Sequence, residues 1–197
     1  QWGTGFSTTT TAPTPTLTGK DLLKLTISRD RIVALSSSGN VYSVSASQKD
    51  QQAGPKPLES TWFPFWSSRS NISYRKIQLK DLAWGEKIAD ISTGLEHSLI
   101  LTTKGRLFSA ATGTEDFPSK GQLGIPGLTW TTRPEGPVDQ PHEISTLKGF
   151  DIAKIAAGDF HSLAADRAGR VFAFGDNSVG QLGFDPSPES PVIDAPS

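Results

Sequence analysis

Histidine and serine stand side by side twice in this 197-residue chain, at His97-Ser98 and His161-Ser162, and a third histidine is His142. An imidazole within reach of a hydroxyl is the pair used in nucleophilic acyl transfer, where the ring takes the hydroxyl proton. Both pairs open short apolar runs, Leu99-Ile-Leu101 and Leu163-Ala-Ala165, that read as strands. Successive strand residues point to opposite faces, so neither serine can meet the ring of its own neighbour. No Gly-x-Ser-x-Gly elbow presents a serine elsewhere. The sequence therefore predicts no catalytic residue.

Metal chemistry is no better supported. His97 and His161 occupy equivalent places in two distant copies of one pattern, and neither has a second ligand at a short offset. A histidine whose ring nitrogens fasten neighbouring strands is the expected role. His142 lies among prolines and reads as ordinary surface. Two Gly-Gln-Leu-Gly segments, Gly121 to Gly124 and Gly180 to Gly183, lack a following helix start and so do not cradle phosphate. Their glycines are expected at positive φ or at close backbone approaches. No metal and no cofactor are expected.

The elements that must carry these residues follow a repeat. Gly39-Asn-Val-Tyr42, Gly105-Arg-Leu-Phe108 and Gly169-Arg-Val-Phe172 are separated by 66 and 64 residues, and a fixed period marks a repeat architecture. The two clearest copies run from Gly94 through His97 and Gly105 to Phe108, and from Gly158 through His161 and Gly169 to Phe172. The second continues through Phe174-Gly175-Asp-Asn177. Each is a strand, a glycine turn and a second strand, which is hairpin grammar. In the first copy Ser28 and Arg31 replace the glycine and histidine, and Arg31-Ile-Val-Ala-Leu35 pairs with Val41-Tyr-Ser-Val44 across Gly39. The next segment, Ser45 to Ser60, is polar and reads as an exposed loop. Repeats are placed at about 20–45, 87–125 and 151–184, inserts at 46–73 and 126–145, and partial repeats at 1–6 and 185–197. Pro191-Val-Ile193 reads as the start of a further repeat.

Composition agrees with many short strands and turns: 35% hydrophobic residues, 19 glycines and 14 prolines. A formal charge of −1 argues against a nucleic-acid partner. The absence of cysteine excludes disulfides and thiolate metal sites. No apolar run has the eighteen or so residues of a membrane span. The numbering opens at Gln1, so a targeting segment lost ahead of it is compatible with the sequence.

One segment does not read as scaffold. Trp62, Phe63, Phe65 and Trp66 crowd into the first insert, and Trp130 stands in the second. So much aromatic area either folds back over the sheets or anchors a protein partner or a membrane interface. These five residues are the candidate partner-binding set.

The Gly-x-x-His-Ser-Leu strand, the Gly-Arg-(Val/Leu)-Phe strand and the Gly-Gln-Leu-Gly loop together resemble the regulator of chromosome condensation repeat. That resemblance implies an all-β fold, a seven-bladed β-propeller of four-stranded blades, here about three blades plus partial ones. The spacing then implies shorter blade repeats stretched by insertions. Trp84-Gly-Glu-Lys-Ile88 and the two inserts resemble fungal mitochondrial members of the family. These imply a non-enzymatic scaffold at the mitochondrial inner membrane, assembling respiratory complex III with mitochondrial assembly or respiratory-chain proteins. They also imply peripheral membrane contact and remaining blades from the same protein. Other members imply guanine-nucleotide exchange on a small GTPase, or chromatin binding, in the nucleus or cytoplasm.

Overall fold

The computed structural model describes residues 16–60, 67–113 and 117–197. The first sheet uses β1 (Leu22–Ile27), β2 (Arg31–Ser36) and β3 (Val41–Ser45). A one-and-a-half-turn helix α1 (Gln48–Ala53) and the hairpin β4 (Leu58–Ser60) and β5 (Ser67–Arg69) follow before β6 (Arg75–Ile77) completes it. The second sheet is β7 (Ile88–Thr93), β8 (His97–Thr102), β9 (Leu107–Ala111) and β10 (His142–Glu143). The third is β11 (Ile152–Ala157), β12 (His161–Asp166), β13 (Val171–Asp176) and β14 (Val192–Ile193). Every pairing is antiparallel, and each sheet is ordered outward from its first strand. The chain is all-β, built as three blades of a β-propeller.

The three blades share one register. Leu25 pairs with Ala34 and Ala34 with Tyr42; Ile91 with Ile100 and Ile100 with Phe108; Ile155 with Ala164 and Ala164 with Phe172. Side chains alternate between faces with period two, so each triplet lies on one face of its blade. The Ile91 face of the second blade packs on Val33, Leu35 and Val41 of the first. The Ile155 face of the third packs on Leu99, Leu101 and Leu107 of the second. Each fully buried Ile or Leu contributes roughly 1.5–3 kcal/mol, so these two inter-blade layers are the main source of stability.

Both ends of the series are open. Leu25 occupies the position of Ile91 yet is 59% exposed, whereas Ile91 is wholly buried. The outer half of that first face is covered locally, because Leu17, Ile72 and Tyr74 pack over Tyr42 and Val44. At the far end Val171, equivalent to buried Leu107, is 64% exposed.

The hairpin turns repeat atom for atom. Gly39, Gly105 and Gly169 have φ of 78°, 72° and 86° and donate to Ser36, Thr102 and Asp166 carbonyls. Those three residues also accept through their side chains from the N–H of Asn40, Arg106 and Arg170, at 3.1, 3.2 and 2.9 Å. A short polar side chain at the turn entry and a glycine in the left-handed region are what this turn requires.

Two expectations are corrected by the fold. The polar segment after Ser45 is not simply an exposed loop. Ser47 caps α1, with Asp50 in its first turn, and Gln51 is buried, donating to the Ser45 and Ser73 carbonyls at 2.8 Å each. Its polarity serves buried backbone groups as well as water, a distinction that composition cannot make. Pro191-Val-Ile193 does not begin another repeat. Val192 and Ile193 pair with Asp176 and Gly175 as the outermost strand of the third blade. The inserts likewise fall inside blades: the first lies between the third and fourth strands, and the second contains the fourth strand, β10, because a short edge strand needs few residues and can be reached by a connection of any length.

Candidate functional site

Each turn between the first two strands of a blade is closed by one bond: Ser28, Gly94 and Gly158 donate to the carbonyls of Arg31, His97 and His161 at 2.8, 2.9 and 2.9 Å. The same turns tie the blades together, with Arg29 N–H donating to Leu95 O and Leu95 N–H to Asp159 O. This turn holds the histidine ring against the glycine. A Cβ on Gly94 would stand 2.4 Å from His97 Cε1 and 2.2 Å from the Gly158 carbonyl. The glycine is required by close approach, not by its φ.

The ring so placed reaches the next blade. His97 Nε2 lies 2.7 Å from Ser162 Oγ, and Ser162 Oγ donates to the Gln122 carbonyl at 2.9 Å. With the hydroxyl proton committed to that carbonyl, the oxygen accepts from a protonated Nε2. Nδ1 is then the bare nitrogen, and it has no hydrogen-bond partner among the described residues. A histidine does meet a serine, but from the neighbouring repeat and not from its own. Both residues are wholly buried, and burial, with His161 nearby, lowers the His97 pKa to about 3. The ring is neutral at physiological pH. A serine whose proton already points at a carbonyl, in a site closed to substrate, is a strut and not a nucleophile.

Where the first blade has Arg31 in place of the histidine, a different joint forms. Asp139, from the loop ahead of β10, is buried between Arg31, 3.4 Å away, and Arg75, with which it is also ion-paired. Arg31 also donates to the Thr112 carbonyl of the second blade and, at 3.2 Å, to Ser43 Oγ. Burial lowers the pKa of both guanidiniums, and for Arg75 the Arg31 charge adds to it. Nothing local marks this joint in sequence. It needs a residue more than a hundred positions from Arg31.

The Gly-Gln-Leu-Gly loops are closed by bonds of their own. Gly121, Gly124, Gly180 and Gly183 all have positive φ, and Gly124 and Gly183 donate to the carbonyls of Gly121 and Gly180. Gln122 Oε1 accepts from Lys120 N–H at 2.7 Å, and Gln181 Oε1 from Val179 N–H at 3.0 Å. Gly175, also at positive φ, lies against the His161 backbone. Phe108 is buried between blades, and Phe172 packs edge-on to Phe150 with centroids 4.7 Å apart. His142 is not ordinary surface: it lies in β10 and is half-buried, and burial together with Lys80 lowers its pKa.

The partner-binding candidates divide. Trp62, Phe63, Phe65 and Trp66 lie outside the described residues. Trp130 is 47% exposed at the rim of a cavity of about 490 Å³ shared with Phe117, Leu123, Ile125, Leu128 and Val192. Its ring packs edge-on to Phe117 and carries the Arg133 guanidinium 4.3 Å from its centroid. Trp84, which is not in the candidate set, is 97% exposed, the most exposed aromatic among the described residues. Among the described residues, no cluster of three or more His, Asp or Glu could hold a metal ion.

Comparison with known proteins agrees with this geometry. Family models described as the regulator of chromosome condensation (RCC1) repeat match residues 119–165 and 152–181. The chain is 28% identical over 185 residues to Protein FMP25, mitochondrial, of Saccharomyces cerevisiae, covering 84% of this chain and 31% of the relative. The solved structure of Prp20p from the same yeast superposes with a TM-score of 0.61 at 21% identity, covering 90% of this chain and 38% of that one. Human WBSCR16 superposes at 0.58 and 22% identity, covering 89% and 38%. The chain thus spans under two fifths of each of these proteins.

Proposed function

From a chain that carries regulator of chromosome condensation repeats folded as three blades of a β-propeller, we propose a non-catalytic protein-interaction scaffold acting in mitochondria. The observation that carries this reading is the burial of the one His–Ser contact. His97 and Ser162 are consumed in joining blades, and the inserts and connecting turns offer the recognition surface. The mitochondrial address is supported by the likeness to the yeast mitochondrial protein. The specific task we propose is assembly of respiratory complex III at the inner membrane, alongside respiratory-chain or assembly proteins, with further blades of the same protein completing the ring.

Affinity purification of the full-length protein from mitochondria tests this. Recovery of complex III subunits or their assembly factors is expected, and recovery of neither would overturn it. The competing reading, guanine-nucleotide exchange on a small GTPase, fits the same propeller shape. It requires accelerated nucleotide release from a candidate GTPase. Chromatin binding is the weakest alternative at a net charge of −1, and it requires salt-dependent DNA affinity.

A further inference from the structure

We propose that the turn carrying Trp84, between the first and second blades, docks onto an anionic lipid bilayer. The turn runs from β6 to β7, and its tip, Leu82-Ala83-Trp84-Gly85, is uncharged and exposed at every residue. Trp84 is 97% exposed and Leu82 36%, so the indole projects into solvent with almost nothing beside it. An unsupported apolar tip costs free energy in water and is stable at the lipid headgroup boundary, where indole rings partition.

The turn is also shaped from within. Ala83 N–H donates to Glu86 Oε2 at 2.8 Å, Glu86 N–H to the Ala83 carbonyl at 2.9 Å, and Arg106 Nη1 to the Asp81 carbonyl at 2.9 Å. Glu86 is itself buried and paired with Arg106 at 3.1 Å. Burial pushes its pKa up, but hydrogen bonds from Thr102, Ala83 and Arg106 outweigh that, and it remains ionised. The tip is therefore held in one shape by a buried ion pair.

Charge around the tip selects the lipid. Lys80 and Lys87 flank it, and Lys104 is adjacent, because Thr103 N–H donates to the Lys87 carbonyl at 2.8 Å. All three are exposed, and none has an ion-pair partner among the described residues. Asp81 is an opposing exposed carboxylate, Asp151 beside Gly105 is paired with Arg167 at 2.8 Å, and Arg106 is neutralised by Glu86 and Glu143. A projecting ring with diffuse positive charge and no surrounding groove suits a fluid anionic surface. A protein partner would need a complementary area of roughly 800 Å² around it.

The test is co-sedimentation of the purified full-length protein with phosphatidylcholine vesicles, with and without about 30 mol% phosphatidylserine. Wild type should sediment with the anionic vesicles. Lys87→Ala and Lys104→Ala should each weaken binding about fivefold, Trp84→Ala should abolish it, and Trp84→Phe should retain part. Unchanged thermal unfolding of Trp84→Ala checks the fold. Failure of wild type to bind, equal binding by Trp84→Ala, or Trp84-dependent capture of a protein without vesicle binding would each overturn the proposal. None of these results bears on the affinity purification above, so the two readings fail separately.

Discussion

His97 of the second blade and Ser162 of the third share a hydrogen bond of 2.7 Å although 65 positions separate them. The serine hydroxyl donates to the Gln122 carbonyl, so three segments meet at one buried hydroxyl. Removing that hydroxyl strands a buried ring N–H and a buried carbonyl together. Ser162→Ala should therefore lower stability by about 1–3 kcal/mol, read as a shift in the denaturant midpoint. An unchanged midpoint would show that the bond does not hold the blades.

The same ring sets an acid limit. Its folded-state pKa of about 3 lies below the ordinary histidine value of 6.5. The unfolded chain therefore binds a proton that the folded chain refuses. Stability is unaffected by this group above pH 6.5 and falls as pH drops from there toward 3. His97→Gln should flatten that part of the stability–pH curve, and an unaltered slope would refute the assignment.

Gly94 should not accept a side chain. Its Cβ would meet a carbonyl and an imidazole at 2.2 and 2.4 Å, and neither can retreat from a packed joint. Gly94→Ala is expected to cost about 1–3 kcal/mol or more, measured by thermal unfolding. A neutral result would mean that the His97 ring can turn away.

Equivalent register positions should respond unequally. Ile91→Ala should cost about 2–5 kcal/mol, while Leu25→Ala, at the matching but open position, should cost under about 1 kcal/mol in this chain alone. In a longer protein whose preceding blade covers Leu25, the two costs should converge. Chemical denaturation of both variants in both lengths settles it.

Two ion pairs should also part company. Lys24 and Asp90 meet at 2.7 Å with side chains 42% and 32% exposed, so Lys24→Ala should change stability by less than about 1 kcal/mol. Asp139 is 4% exposed between two arginines. Asp139→Ala should remove the carboxylate that Arg31 and Arg75 share and speed proteolytic cleavage of the Gly127–Val138 region. Equal, small effects from both changes would show that the buried aspartate does not hold its loop.

Periodic residues fixed much of this protein by themselves. The glycine at each hairpin turn is legible because no other residue takes that φ cheaply, and the alternation of apolar residues is legible because strand geometry has period two. From these the three inner hairpins follow. The first blade's arginine joint was invisible, because Arg31 finds Asp139 through packing and not through spacing. The sequence argues against a His–Ser pair between neighbours, since adjacent strand residues diverge. Only the tertiary structure could bring His97 to the serine of the next repeat, because stacking one blade on another is what superposes their equivalent strands. Tertiary structure also decided exposure. Trp84 and Trp130 are the same residue type in similar company, yet one is backed by Phe117 and Arg133 and the other projects almost bare, a difference set by what packs beside each ring.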